Sequence, residues 1–229
     1  MGVYMQYFCL SILLIINAIH LYNCYIGRDS IRTHTKGFLM PFLLIYYLVL
    51  CSVYSIKFET LLFFVLIASW VGDVMLLRTK FCYFLIGGIS FFVAHLCFIP
   101  LYYIYIDWSC VEFSVLYVAS IIYVIISFIM FYTLNKSLPQ PFFYGVLIYL
   151  LANGAMNVFA LAFAFSNRNL SGILVLIGSI SFYCSDVVLF LVRFHQKSAV
   201  FRGHFVIMAT YILAEFLIVQ GIFIRQYVF

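Results

Sequence analysis

Two aspartates stand inside apolar runs, where a charge is expensive. Asp73 ends the segment Ser69-Trp70-Val71-Gly72-Asp73, and Asp186 follows Gly178, Phe182 and Ser185. An ionisable side chain in a membrane span costs about 2.5–3.5 kcal/mol on insertion scales, so each is a candidate for function. The same reasoning selects Asn17, His20, His95, Asn153, Asn157 and Glu215, with Lys36 just before another apolar run. Paired carboxylates suit general acid–base chemistry, in which one gives a proton while the other orients water or steadies a cation. They suit a proton relay equally well. The plainer role for the amides is hydrogen bonding between helices. For the aspartates it is pairing with Lys or Arg across helices.

The elements that hold these groups follow from composition. Of 229 residues, 67% are apolar, 21% aromatic and only 8% charged, and mean hydropathy is +1.18. A soluble domain needs far more polar surface. This excludes a soluble enzyme, a nucleic-acid binder and a disordered tail, and predicts an all-α, polytopic transmembrane bundle. At about 20 apolar residues per crossing, eight spans are predicted: 4–24, 38–56, 59–78, 81–103, 113–134, 141–165, 171–192 and 203–224. The main polar breaks are Gly27–Gly37, Asp107–Glu112, Asn135–Pro141, Ser166–Ser171 and Arg193–Arg202. Short links between long helices imply one antiparallel domain, 1–229. The runs are continuous rather than alternating, which argues against a β-barrel. The first run has no basic leader or small-residue cleavage site and reads as a retained span. Seven cysteines without a CxxC pair read as free thiols.

Arg28, Arg32, Lys36, Arg78, Lys80, Lys136, Arg193, Lys197 and Arg202 fall at one end of the predicted bundle, against Lys57, Arg168 and Arg225 at the other. Positive-inside then predicts both termini on the non-cytoplasmic side. Asp73 lies about 7–8 Å, and Asp186 about 10 Å, from the basic end by helical rise. That groups both with Asn17, His20 and Lys36 at one depth, and sets His95, Asn153 and Glu215 deeper. A polar cavity opening to the cytoplasmic leaflet is the economical arrangement. Lys36, Arg78 and Arg193 are then topology determinants or contacts to a lipid phosphate.

In chain order, Gly72-Asp73 on span 3, Gly87-x3-Phe91-x3-His95 on span 4, Tyr149-x6-Met156 on span 6, Ser185-Asp186 on span 7 and Tyr211-x2-Ala214-Glu215 on span 8 form a set. From Lys36 to the end of span 8 it resembles the lysoplasmalogenase family of YhhN-like membrane proteins. The resemblance implies hydrolysis of the vinyl ether of a lysoplasmalogen, giving a fatty aldehyde and glycerophosphoethanolamine or glycerophosphocholine. It implies Asp73 and Asp186 as the acid–base pair and His95 as the matching family histidine; Ser185, Glu215, Asn17, His20, Tyr149 and Asn153 are read as supporting groups from their types and places in the spans. Its partners are the lysophospholipid and membrane lipids, in the endoplasmic reticulum or another endomembrane of a eukaryotic cell. Three positions depart from the family pattern: Lys36-Gly37 where Lys-Pro is usual, Phe98 where Tyr is frequent, and Glu215 where Gln is usual.

The residues suit that reaction. Protonating the β-carbon of a vinyl ether gives an oxocarbenium ion, which water traps as a hemiacetal that collapses to aldehyde and alcohol. Two carboxylates supply the acid and the nearby negative charge. With His20 and His95 well inside spans and His204 only at the edge of one, a three-histidine zinc site is not expected, and no metal or cofactor is. Three other readings compete. An intramembrane aspartyl protease wants Gly-x-Gly-Asp, which Trp70-Val71-Gly72-Asp73 lacks. A proton-coupled transporter would use the same buried Asp, Glu and His. A non-catalytic lipid-binding protein would release no product.

Overall fold

The computed structural model describes residues 2–134, 137, 142–195 and 200–228. Lys136 and Lys197 of the basic tally, and the first residue of the predicted span 141–165, lie outside the described residues. Eight helices follow in order: α1 (Gly2–Ile26), α2 (Asp29–Tyr54), α3 (Thr60–Leu76), α4 (Phe81–Tyr103), α5 (Phe113–Leu134), α6 (Phe142–Ser166), α7 (Leu170–Phe194) and α8 (Gly203–Val228). A 3-10 turn at Trp108–Cys110 links α4 to α5. The fold is all-α, as predicted, and seven helices are long and apolar enough to cross a membrane.

Two elements differ from the sequence expectation. The third span is a shorter helix, 17 residues or about 25 Å, the lower end of what a crossing needs. Glu59, in extended backbone, caps its start through the amide of Leu61, and the helix ends at Leu76, two residues before the predicted end. The polar stretch Gly27–Gly37 is not a loop. Gly27, at φ +75°, turns the chain as only glycine does cheaply. Helix α2 then starts at Asp29, so Lys36 sits two turns inside it. Polarity had suggested a break, but nothing between 29 and 36 interrupts helical backbone.

Successive helices run antiparallel. The α1–α2, α3–α4 and α7–α8 turns share one end of the bundle with Arg32, Arg78 and Arg193, called here the basic end. At the opposite end Tyr105 donates to Glu59 Oε2 (2.8 Å), Tyr47 donates to Gln226 Oε1 (3.0 Å), and Gln226 Nε2 donates to the Lys57 carbonyl (3.2 Å). These bonds tie the α2–α3 link to the ends of α4 and α8. Burial holds the Tyr105 hydroxyl up at about 12, so it remains a donor there. Tyr117, Ile121, Ile125, Phe128 and Ile129 of α5 point outward, as a lipid-facing surface requires.

Helices α7 and α8 pack most intimately. A Cβ on Gly178 would stand 2.9 Å from the Ala214 carbonyl oxygen and 2.8 Å from Ile218 Cγ1. Small residues let helices approach this closely without a hydrophobic drive between them. Ser171 and Ser185 fasten the seam by donating to the carbonyls of Gly221 (2.7 Å) and Ile207 (3.0 Å). Gly178→Val is therefore expected to destabilise the bundle by about 1–3 kcal/mol through overpacking. The check is the thermal midpoint in detergent, with Gly145→Ala, which meets nothing within 4 Å, as the neutral control.

Candidate functional site

The buried polar groups divide into two sets, each built on one aspartate. Asp73, on α3, is 1% exposed. Its Oδ1 pairs with Lys36 Nζ of α2 at 3.3 Å, and its Oδ2 accepts from the Tyr211 hydroxyl of α8 at 2.9 Å. Both carboxylate oxygens are therefore engaged, and the ion pair compensates a charge that would otherwise be costly in the interior. Tyr211 carries no sequence signal as a ligand. The hint is its place one helical turn before Glu215, on the same face of α8. Ser69 stands in the same relation to Asp73 on α3.

Asp186, on α7, gathers three groups at one oxygen. The Tyr149 hydroxyl donates to Oδ2 at 2.9 Å and Asn153 Nδ2 donates at 2.7 Å, both from α6. His95 Nε2, from α4, stands 3.5 Å from the same oxygen. Tyr149 and Asn153 are four residues apart, which places them one above the other on α6. Asn157, one turn further, donates to both the side-chain and main-chain oxygens of Asn153 (3.0 Å each) and fixes that amide. Oδ1 of Asp186 makes no hydrogen bond among the described residues, and the side chain keeps 6% of its surface exposed.

Helical rise misgrouped the set. Reckoned by depth, Asp186 belongs with Asp73 and Lys36, yet its contacts are His95 and Asn153, assigned to a deeper level. The helices do not begin at one height, and a side chain spans several ångströms, so counting residues from the helix end errs by a turn or two. Aromatic rings fill the space between the two sets. Phe182 lies 4.8 Å from His95 and 5.5 Å from Tyr211, centroid to centroid, and Phe91 lies 5.7 Å from Tyr211.

Glu215 connects them electrostatically. It is wholly buried, its carboxyl oxygens meet no hydrogen-bond criterion among the described residues, and the Ser69 hydroxyl, likewise unpartnered there, faces it. It lies within coulombic range of both Asp73 and Asp186. Three further groups take structural positions. Ser185 turns from Asp186 to the α8 backbone. Asn17 is half-buried on α1 and makes no hydrogen bond among the described residues. His20 is enclosed, with Nδ1 2.8 Å from Thr35 Oγ1 and Nε2 3.5 Å from Cys24 Sγ.

Two cavities adjoin these sets. A polar one of about 280 Å³ opens at the basic end; its charged or titratable lining is His20, Arg32, Lys36, Arg78, Arg193 and His204. Sequence reasoning had brought Lys36, Arg78 and Arg193 together, and they do meet here. It had read Arg32 only as a topology charge, and it missed His204. The second is an apolar groove of about 220 Å³ between α4, α6 and α7, lined by residues including Phe84, Gly88, Ile148, Tyr149, Phe190 and Phe194. Phe84 belongs to both cavities. Each aspartate stands one residue back from a wall: Asp73 behind Lys36 of the polar cavity, Asp186 behind Tyr149 of the groove.

A bundle of lipid-exposed helices with carboxylates, a histidine and amides paired in its interior defines a polytopic membrane protein with an intramembrane polar site. The chain belongs to the YhhN family, whose profile matches residues 31–222. No curated protein and no solved structure matches it.

Proposed function

We propose that this protein hydrolyses the vinyl ether of a lysoplasmalogen. The products are a fatty aldehyde and the glycerophospho-alcohol, which is glycerophosphoethanolamine or glycerophosphocholine where the lipid carries those heads. One observation carries the reading: a cationic cavity and an apolar groove meet at Phe84, and the groove wall leads through Tyr149 to Asp186. A single-chain lipid has the matching shape, with its phosphate among the cations and its chain in the groove. Family membership supports the same substrate class.

In this reading the groove presents the double bond to the Tyr149–Asp186 pair, and a proton passes to the β-carbon. The resulting oxocarbenium ion needs negative charge nearby, which Asp73 and Asp186 provide across the short aromatic partition. Water adds to the cation, returns a proton to the carboxylate, and the hemiacetal collapses. Asn153 holds Asp186 in position, and His95 stands beside the same oxygen. The basic end faces the cytoplasm of an endomembrane such as the endoplasmic reticulum, so substrate enters sideways from the cytoplasmic leaflet.

The test uses purified protein in liposomes with a lysoplasmalogen and its saturated alkyl-ether analogue. Aldehyde is expected from the vinyl ether only, because the alkyl ether cannot form the cation by simple protonation. Aldehyde from neither would overturn the proposal. A proton-coupled carrier is the competing reading, favoured by Glu215, which lies in electrostatic reach of both aspartates as a relay would need. Lipid flux driven by a pH gradient, without aldehyde, would establish it.

A further inference from the structure

We infer that Tyr123, on α5, is a positioning residue for Asp186 and acts on it through Asn157 and Asn153. The inference deepens the proposed function and rests on it in one respect, that Asp186 serves the reaction. Helix α5 otherwise faces lipid. Its inner stripe is Leu116, Tyr123, Ser127, Met130 and Leu134, spaced one or two helical turns apart. Two observations seat Tyr123 against its neighbours. A Cβ on Gly154 of α6 would stand 3.0 Å from the Cβ of Tyr123, so the missing side chain admits the tyrosine. The ring of Tyr183, on α7, lies 4.9 Å from that of Tyr123 at 70°. Ser127 spends its own proton on the Tyr123 carbonyl at 2.7 Å, so the Tyr183 hydroxyl donates to Ser127 Oγ at 3.1 Å.

From Tyr123 a chain of hydrogen bonds leads inward. Its hydroxyl donates to Asn157 Oδ1 at 3.1 Å, Asn157 Nδ2 donates to Asn153 Oδ1 at 3.0 Å, and Asn153 Nδ2 donates to Asp186 Oδ2 at 2.7 Å. The backbone fixes its direction. Asn157 Nδ2 also meets the main-chain carbonyl of Asn153 at 3.0 Å, and a carbonyl only accepts. The Asn157 amide therefore turns its nitrogen to Asn153 and its oxygen to α5, where Tyr123 must donate. Asn153, facing a donor, presents its oxygen and points its own nitrogen at Asp186. Asn157 and Asn153 are 1% and 0% exposed, so bulk water does not replace a lost partner. The effect on the two carboxyl oxygens differs. Oδ2 takes donors from Asn153 and Tyr149 and is held as an acceptor. Oδ1 makes no hydrogen bond among the described residues and is the oxygen left to exchange a proton with substrate. Without the Tyr123 hydroxyl, Asn157 Oδ1 is stranded, both amides are freer to rotate, and the two carboxyl oxygens become less distinct. Tyr123 lines neither the polar cavity nor the apolar groove, so its loss should leave substrate binding alone.

The experiment compares Tyr123→Phe, Gly154→Ala and Tyr117→Phe with the native full-length protein in nanodiscs. Tyr117, on the lipid side of α5, is 70% exposed and serves as the control. With a lysoplasmalogen, Tyr123→Phe is expected to lower kcat about three- to tenfold, the worth of one neutral hydrogen bond, with KM unchanged. Gly154→Ala keeps every hydrogen-bonding group but crowds the tyrosine, and should show an intermediate loss. In an Asn153→Ala background, Tyr123→Phe should cost less than about twofold, because the link it acts through is gone. An equal cost with and without Asn153, or a rise in KM in place of the fall in kcat, would overturn the inference. The infrared carboxyl band of Asp186, assigned as the band lost in Asp186→Asn, needs no turnover and decides wherever a variant is too slow to assay. It should shift in Tyr123→Phe and stay in place in Tyr117→Phe. An unmoved band in folded Tyr123→Phe protein would overturn the inference even if kcat fell. A shifted band in a protein that releases no aldehyde would support the hydrogen-bond chain and sink the hydrolase reading alone.

Discussion

Asp186→Asn is expected to lower kcat for aldehyde release by about 10²–10⁴, the usual worth of a positioned proton donor. The substitution keeps the shape of the side chain. An amide oxygen in place of Oδ2 still accepts from Tyr149 and Asn153, which now hold the carboxylate at 2.9 and 2.7 Å. The thermal midpoint should therefore stay near that of the native protein, and the loss can be read as chemistry. Tyr149→Phe removes one hydrogen bond to the carboxyl and opens the groove wall at the same point. Its expected cost is smaller, about 10–100-fold, the scale of one hydrogen bond to a charged group. The two variants together distinguish a direct donor from a relayed one. If Tyr149 hands the proton on, Tyr149→Phe should fall as far as Asp186→Asn. Retention of a tenth or more of native kcat by a folded Asp186→Asn protein would remove Asp186 from the reaction.

The fold was legible because membrane helices announce themselves by continuous apolar length. Seven of eight predicted spans appear as helices of crossing length. The third, α3, was over-read because its flanks, Glu59 and Leu77-Arg78, are short interruptions beside apolar residues. The start of α2 was under-read because polar side chains in a bundle lie wherever a helix faces a cavity, not only in loops. His20, Arg32, Lys36 and His204 share one cavity from positions on α1, α2 and α8 that no spacing rule connects.

The candidate site was legible as a set of residue types, and not as a set of contacts. Intramembrane charge identified Asp73, Asp186, His95 and Glu215 one at a time. Pairing depends on helix rotation and relative height, which one sequence does not encode visibly. Asp73 therefore found Tyr211, a residue with no charge to draw attention, while Asp186 found three groups from two helices. The helical i, i+4 relation is the recoverable signal. Tyr149, Asn153 and Asn157 mark one face of α6, and Tyr211 and Glu215 mark one face of α8. Reading those stripes across helices would have suggested two clusters rather than one.

Lys36→Met should destabilise the protein more than Asp73→Asn, and the asymmetry follows from burial. Lys36 is 14% exposed beside the polar cavity, whereas Asp73 is 1% exposed. Removing the lysine strands a carboxylate in the interior with only the Tyr211 hydroxyl as partner, a loss on the order of 3–5 kcal/mol for breaking a buried pair from one side. Removing the carboxylate leaves an ammonium that can swing on its flexible stem into the cavity and keep water. The double variant, Lys36→Met with Asp73→Asn, no longer contains a stranded charge. It should recover most of the stability lost in Lys36→Met, because replacing both members of a buried pair is often close to neutral. Thermal midpoints of the four proteins in one detergent form the cycle that measures this coupling. Additive losses would mean that the 3.3 Å contact carries no coupling energy. Aldehyde release supplies the second axis. A stable double variant that is inactive, with Asp73→Asn alone equally inactive, would show that Asp73 serves the reaction through its charge, while one that is stable and active would leave Asp73 as an anchor between α2, α3 and α8.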